Sequence, residues 1–281
     1  MKDNTRIAVA FGSEELRIEQ PAGTFAATPA SLVSLKAIGT HQQLLSGTGL
    51  DWGSGTGILS IAAASIEAVT KVYGLEIIPA NVAIARRNAR ANGVENKTAF
   101  FYSDSFLPYE ETDRDIVASL KGVVDFVIAN PPASDGDDGF DFRRRVLRES
   151  REFLSSGGVV FLNISSQYGG QRIENLTADA PGFDHGGVLA TTDCVPFDLK
   201  RADLLECLHD YVNEERRGGL QYEFVVPGDK PNNLVSAQAA LAFFQRTGES
   251  PLTKWQTRLM LTSEDHRCRY KRPNAGISLH P

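Results

Sequence analysis

Between residues 50 and 164 the chain alternates short apolar runs with helical segments, and the first run ends in a glycine-rich turn that opens a helix. Such alternation means parallel strands joined by crossover helices, and a turn there lies beyond the carboxyl end of a strand, where such sheets bind ligands. The sequence therefore predicts an α/β fold: a doubly wound, mostly parallel seven-stranded sheet with helices on both faces and a C-terminal extension. Its 281 residues suffice for one large domain, or a medium one with an appendage, and no linker or repeat divides them.

The elements follow in order. Residues 5–20 read as two short strands: Ile7, Val9 and Phe11 alternate with other residues, as do Leu16 and Ile18 after a turn at Gly12-Ser13. Thr28-Pro29 starts a helix, a capping hydroxyl followed by proline at the first helical position, and Gly39 stops it. Ser46-Gly47-Thr48-Gly49 reads as a loop, and Leu50-Asp51-Trp52 as the end of the first sheet strand. A helix over 58–68, a strand over 71–75 ending in Glu76, a helix over 79–92 and a strand over 97–102 come next. Residues 123–128, reading VVDFVI, form a buried strand; a helix over 143–154 and a strand over 159–164 follow, with Gly157-Gly158 between them. Beyond Ser165 the pattern loosens to a strand within 188–196, a helix over 201–215, a strand over 220–226 and a helix over 234–245; the last fifteen residues read as a polar loop.

The formal charge is -6 and the pI near 5.5, so there is no net basic excess with which to grip phosphates. Two local clusters, Arg143-Arg144-Arg145 and Arg216-Arg217, read as solvated helix faces. Three scattered cysteines, Cys194, Cys207 and Cys268, make no disulfide framework and suit a reducing compartment. Cys207 and His209 lack a second pair at ligand spacing, so no metal site is expected. With no charged-then-apolar leader and no run of the roughly 18–20 apolar residues needed to cross a bilayer, a cytoplasmic protein with no membrane partner is expected.

The strongest signal is LDWGSGTG, residues 50–57, with Gly53, Gly55 and Gly57 between a strand and a helix. Glycine allows the tight turn and lets the backbone approach a ligand, as in Rossmann-like sheets, but a nicotinamide or flavin dinucleotide is served equally well. Three details discriminate. The dinucleotide pattern needs a third glycine where Ile58 stands. Asp51, just before the glycines, would repel a pyrophosphate but suits the positive amino group and sulfonium of S-adenosylmethionine. Glu76 ends the next strand, where an acid accepts both ribose hydroxyls. Asp104 and Ser105 follow the third strand; there Asp104 can accept from an adenine amino group and Phe106 can cover the ring, unless this is an ordinary strand-end loop.

Asn130-Pro131-Pro132 ends the VVDFVI strand. Two prolines remove two backbone donors and stiffen the turn. They leave the Asn130 amide and the Pro131 carbonyl as acceptors for the hydrogens of an amine or amide nitrogen. Catalysis would then be mainly positioning, with no metal or covalent step.

The order DWGSGTG, Glu76, Asp104, NPPA resembles class I methyltransferases acting on planar nitrogen atoms, among them the release-factor glutamine methyltransferases and the small-domain RNA guanine and adenine methyltransferases. The run DGDDGFDFRRRVL and the later Gly157-Gly158 are most similar to the glutamine enzymes' catalytic domain. The resemblance covers roughly residues 20–170. It implies S-adenosylmethionine as cofactor, contacted by Asp51, Gly53, Gly55, Gly57, Glu76, Asp104, Ser105 and Asn130, with Asn130 and Pro131 receiving the substrate nitrogen. It also implies that GTFAATPAS is a lid segment over the methionine end, with a role for Phe25 or Thr28. Three parts result: an N-terminal hairpin and lid helix (1–40), the cofactor-binding core (41–165), and the end of the sheet with a substrate-covering extension (166–281).

Two departures bear on the substrate. The family's aromatic residue after the second proline is Ala133 here, which removes a stacking surface worth on the order of 1–3 kcal/mol for a nucleobase; Phe140 or Phe142 is the candidate replacement. The residues before the core are too few for the release-factor enzymes' helical docking domain, and a longer C-terminal stretch stands instead. The reading is a methyltransferase that N-methylates a small molecule, an amino acid derivative or a peptide side chain. The alternatives are an RNA or DNA amino methyltransferase and a non-catalytic cofactor-binding subunit. Tyr168, Phe183, His185 and Asp193 are candidates to line the substrate cover; no oligomeric state is implied.

Overall fold

The computed structural model describes residues 4–12, 14–21, 28–135, 137–228 and 233–263. Phe25, most of the lid segment, Cys268 and the polar C-terminal residues lie outside the described residues.

Strands β1 (Asn4–Phe11) and β2 (Glu14–Pro21) pair antiparallel from Asn4↔Pro21 to Phe11↔Glu14. Period-2 alternation gives them one apolar face, Val9, Phe11, Leu16 and Ile18, all buried. Helix α1 (Pro29–Thr40) starts at Thr28, whose hydroxyl accepts from the Ser31 N–H while the Ser31 hydroxyl accepts from the Thr28 N–H. Two orphan donors of the first turn are met reciprocally.

The core elements are β3 (Gly47–Trp52), α2 (Ile58–Ala64), β4 (Val69–Glu76), α3 (Pro79–Ala91), β5 (Thr98–Asp104), β6 (Leu107–Pro108), α4 (Glu111–Ser119), β7 (Val124–Ala129), α5 (Asp141–Ser150) and β8 (Leu154–Ser165). After α6 (Gly170–Asp179) and β9 (Phe183–Thr191) come β10 (Val195–Pro196), α7 (Ala202–Arg216), β11 (Phe224–Val225), β12 (Leu234–Val235), α8 (Ala237–Thr247), β13 (Leu252–Thr253) and β14 (Trp255–Thr262). The main sheet runs β6-β5-β4-β3-β7-β8-β14-β9. It is the expected set of seven long strands plus a two-residue edge strand, β6. Strands β3, β4, β5, β7 and β8 are parallel, and β14 lies antiparallel between β8 and β9.

Both faces are covered. Val127 and Ala129 of β7 enter one apolar cluster with Leu50, Trp52, Leu75 and Leu162, whereas Phe126 and Ile128 enter the other with Phe100, Phe161 and the β1–β2 hairpin. Burial on two faces is why VVDFVI reads as continuous instead of alternating.

Several elements differ from the sequence expectation. Gly47, Thr48 and Gly49 are strand, not loop. A Cβ at Gly49 would lie 2.2 Å from the Phe126 ring, and one at Gly47 2.1 Å from Asp125 Oδ2, so these glycines serve close strand packing. Helix α5 stops at Ser150, and β8 begins at Leu154. The pair Gly157-Gly158 sits within β8, at the register irregularity between Val124↔Leu154 and Phe126↔Val159. Helix α4 has no counterpart in the sequence reading, since a nine-residue helix with one buried residue, Val117, leaves little periodicity. The residues around 234–245 divide into β12 and α8, which starts at the capping Ser236.

The extra length is an insertion, not an appendix. Residues 192–254 leave the sheet at the end of β9 and return at the start of β14, forming a small sheet β10-β13-β11-β12 with α7 and α8. Glu215 joins the two helices: Oε1 accepts from the Ala237 N–H at 2.9 Å and Oε2 from the Gln238 N–H at 3.1 Å. Strand β9 runs parallel to β8, so the insertion rises from the carboxyl-end rim of the sheet, the rim that carries the glycine turn.

Gly49→Ala should destabilise the chain by about 1–3 kcal/mol in urea unfolding, the range for overpacking a filled core. Gly39→Ala is the control: its Cβ meets only Phe11, at 3.5 Å, and should be neutral or stabilising by up to ~1 kcal/mol. Equal effects of the two would contradict the packing assigned to Gly49.

Candidate active site

Three strand ends converge on the glycine turn. In the ladders Trp52 stands opposite Leu75 of β4 and Ala129 of β7, so Gly53, Glu76 and Asn130 emerge side by side. Gly53 and Gly55 take φ of +69° and +55°, a left-handed region open to glycine, and a Cβ on either would meet nothing within 4 Å. Gly57 differs: at φ +86° its bare side faces Ala85 and Phe100, which would stand 2.9 and 3.0 Å from a Cβ there, so it lets α3 and β5 approach. The hydroxyls of Ser54 and Thr56 are buried without a hydrogen-bond partner among the described residues.

Two carboxylates flank this turn. Asp51 is 1% exposed, and its Oδ2 accepts from the Ser60 hydroxyl at 2.5 Å. Burial pushes the Asp51 carboxyl up to about 7; the hydrogen bonds from Ser60 oppose the rise and the charge of Glu76 adds to it. Ser60 is a residue the sequence reading misses, its only signal being a lone hydroxyl in the apolar run ILSIAAA. Glu76 Oε2 accepts from the Gly55 N–H at 2.7 Å, and Oε1 from the Ile78 N–H at 2.9 Å and Asn81 Nδ2 at 3.3 Å. A carboxylate has about four acceptor positions, so some remain for further donors. A bare backbone cradle beside two carboxylates, one fully buried, fits a ligand that is cationic at one end and rich in hydroxyls at the other. S-adenosylmethionine is such a ligand.

The remaining predicted positions are less alike. Asp104 is exposed and pairs with Arg145 at 3.3 Å. Ser105 takes φ +53°, the one positive φ among the described non-glycine residues. Its hydroxyl accepts from Trp52 Nε1 at 2.6 Å and donates to Glu149, so it ties the end of β3 to α5. Phe106 stacks on Phe153 at 4.8 Å in the core and is not free to cover a ring. The Thr28 hydroxyl caps α1. His185 and Asp193 are exposed and Phe183 is in the core; β9 lies at the far edge of the sheet, and only Asp193 stands near its carboxyl end. No group of three metal-ligating side chains occurs among the described residues.

At the end of β7, Asn130 is half-buried, and its side chain has no hydrogen-bond partner among the described residues, whereas Pro131 is buried. The carbonyls of Pro131 and Pro132 each accept from Arg143, Nη2 and Nη1 respectively, both at 2.9 Å. Three adjacent arginines therefore do not make one solvated face. Successive helix residues lie about 100° apart, which turns the run in three directions. Arg143 points inward and is 1% exposed. Arg144 grips Asp138 with Nη1 and Nη2, at 2.8 and 2.7 Å, and Asp179 with Nε. Arg145 pairs with Glu149 and Asp104. Arg216 and Arg217 are exposed as expected.

Behind Arg143 lies an aromatic cluster that joins the proline turn to the insertion. Tyr168, 1% exposed, donates to the Gly139 carbonyl at 2.8 Å; Tyr211 of α7 bonds the Tyr168 hydroxyl at 3.4 Å and stacks on Tyr222 at 4.1 Å. Tyr222 donates to the Asp138 carbonyl at 2.7 Å. Tyr168 is thus a wall of the turn. Phe140, fully buried against Tyr168, cannot replace the missing aromatic at Ala133; Phe142 is half-buried, 5.9 Å from Trp52.

A parallel sheet with one reversed strand before its far edge, a glycine turn between two acids and an Asn-Pro-Pro turn on the neighbouring strand together make a Rossmann-like sheet with a ligand cradle at its carboxyl-end rim. The chain belongs to the methyltransferase small-domain family, whose model matches residues 15–179. It is 28% identical over 157 residues to the release factor glutamine methyltransferase of Bacillus cereus, covering 51% of this chain and 54% of that one. With the enzyme of that name from Thermodesulfovibrio yellowstonii it shares 22% over 164 residues, 53% of this chain and 58% of that one. The chain thus spans little more than half the length of these relatives. The crystal structure of a presumed transferase from Pyrococcus horikoshii is similar in fold, with a TM-score of 0.50 at 9% identity over 93% of this chain and 74% of that one. No described helix is long and apolar enough to cross a membrane.

The Asp51 shift makes stability depend on pH. The carboxyl keeps its proton to about 7 when folded but only to its ordinary 3.8 when unfolded, so rising pH between these values favours the unfolded chain. Asp51→Asn, which does not titrate, should therefore gain in Tm over the wild type as pH rises from 4 to 7, with the difference level above that. A Tm difference independent of pH would show that Asp51 is not held protonated.

Proposed function

We propose that the protein transfers the methyl group of S-adenosylmethionine to a neutral planar nitrogen, that of a peptide side chain or small-molecule amide. The observation that carries this reading is the pairing Trp52↔Ala129, which sets the unpartnered Asn130 amide beside the bare cradle of Gly53 and Gly55. The glutamine-methyltransferase names of the relatives are in keeping with it.

S-adenosylmethionine supplies an electrophilic methyl group on a sulfonium. The chain's residues do the rest by binding and alignment. Gly53 and Gly55 admit the methionine end to the backbone; Asp51, ionised when a cation lies against it, offsets the amino and sulfonium charge; Glu76 accepts ribose hydroxyls. Asp104, exposed at the end of β5, accepts from the adenine amino group in this reading, with Ser105 shaping its loop. The Asn130 side-chain oxygen and the free lone pair of Pro131 accept the hydrogens of the incoming nitrogen and turn its own lone pair toward the methyl; as the N–C bond formed and the C–S bond broke, S-adenosylhomocysteine would leave as the neutral thioether and one of those hydrogens would pass as a proton to water. The insertion at residues 192–254 covers the substrate side. A net charge of -6 favours peptide or small-molecule acceptors over RNA, and the reducing cytoplasm suits the unpaired Cys194 and Cys207.

Calorimetry with S-adenosylmethionine and S-adenosylhomocysteine tests the cofactor half. Micromolar binding is expected, tighter at pH 8 than at pH 6 because the Asp51 carboxyl must ionise. Asp51→Ala should weaken it at least tenfold, and NAD should not bind. Methyl transfer to glutamine-containing peptides, free amines and tRNA tests the acceptor, and Asn130→Ala should lower kcat by about 100-fold with cofactor affinity retained. Preference for tRNA, with strongly salt-dependent binding, would replace the proposal with nucleic-acid methylation; cofactor binding without transfer to any acceptor would replace it with a non-catalytic role.

A further inference from the structure

The proline turn has a chemical problem that its own backbone cannot solve. Pro131 and Pro132 contribute two carbonyls and no N–H. The donors come from Arg143, in the first turn of α5: Nη2 to Pro131 at 2.9 Å, and Nη1 to Pro132 at 2.9 Å and to the Tyr168 hydroxyl at 3.3 Å. The guanidinium is 1% exposed and lies 4.7 Å from the centre of the Tyr168 ring; among the described residues it forms no ion pair and its Nε has no hydrogen-bond partner. A buried cation with no carboxylate is a poor way to stabilise a core, and an apolar side chain of that volume fills such a site at lower desolvation cost. What an apolar side chain cannot do is fix two carbonyl directions at once. A guanidinium can, because its donors are coplanar and set at a fixed angle.

We propose that Arg143 is a positioning residue for methyl transfer. Its fork takes one lone pair of the Pro131 carbonyl and sets the direction of the other, the one offered to the substrate nitrogen. Tyr168 backs the fork, and Tyr211 of the insertion holds the Tyr168 hydroxyl, so the insertion bears on the acceptor turn through this stack. Among the described residues Arg143 makes no hydrogen bond or ion pair with the glycine turn or its carboxylates; its bonds go to Pro131, Pro132 and Tyr168. The consequence for catalysis rests on the N-methyl reading above; the clamp on the carbonyls does not.

The test uses the full chain with [1-13C]proline labelling, in the wild type, Arg143→Met and Arg143→Lys. The Pro131 and Pro132 carbonyl resonances should both move upfield in Arg143→Met and only one in Arg143→Lys, whose single ammonium cannot span both oxygens. The Kd for S-adenosylhomocysteine should stay within about twofold of the wild type. The kcat for methyl transfer to a glutamine-containing peptide should fall about 10- to 100-fold, less in Arg143→Lys than in Arg143→Met, with KM for S-adenosylmethionine unchanged. If Arg143→Met does not fold, Arg143→Lys carries every readout. Unmoved resonances overturn the proposal, as does a wild-type kcat despite moved resonances. A joint loss of kcat and S-adenosylhomocysteine binding also overturns it, since that marks general structural damage. A wild type that binds S-adenosylhomocysteine but methylates no acceptor sinks the N-methyl reading alone, and the resonances then decide the clamp.

Discussion

The parallel pairing of β3 with β7 is the constraint on which the rest of the molecule depends. Gly49↔Phe126 through Trp52↔Ala129 fixes where each strand ends, and the two ends carry the two turns of the site. Register in a sheet buried on both faces is held by every side chain along it, because a slip of one residue would exchange the two apolar clusters. Gly49 strengthens the restraint, since the Phe126 ring occupies the space of its missing side chain. The glycine turn and the Asn-Pro-Pro turn are therefore placed by two paired strands packed on both faces, not by loops that must find each other.

Around that packed centre the polar groups are arranged by what they lack. Asp51 is buried, with no cation paired to it among the described residues, and burial holds its proton to near neutrality. Asp138 is only half-buried, and burial acts to raise its pKa, but the guanidiniums of Arg144 and Arg172 outweigh this and hold the carboxyl below its ordinary range. The contrast separates a carboxyl with a free affinity for positive charge from one already satisfied. The first stands at the glycine turn; the second fastens the loop after the prolines to α5 and α6, while the Asp138 backbone carbonyl accepts from Tyr222.

What the sequence reveals follows from this arrangement. The hairpin, the capped start of α1, the glycine turn and the central strands are legible because period, capping and glycine chemistry are local. Gly53, Gly55, Glu76 and Asn130 could be put at strand ends for that reason. The roles of Gly57, Phe106 and Arg143 could not be read, because each is decided by a partner far along the chain: Ala85 and Phe100, Phe153, and the proline carbonyls with Tyr168. The three arginines misled for a related reason, since a run of charge looks solvated until the helix phase turns one member inward. The insertion is hidden because strands of two residues carry no periodicity, and a return to the sheet at Trp255 has no signature within reach of the departure at Thr191.

That return has a consequence for how the molecule is made. Strand β14 lies between β8 and β9, with hydrogen bonds to both. During synthesis β8 and β9 emerge well before it, and each presents an unpaired edge to the surroundings while the insertion is completed. The far side of the sheet can close only when the chain returns after more than sixty residues, a separation that slows folding. The nascent protein thus passes through a stage in which its cofactor half is complete and its other half is an open slot. A segment with the alternation of β14 could fill that slot in its place, so this is the point at which misassembly and recognition by folding helpers should concentrate.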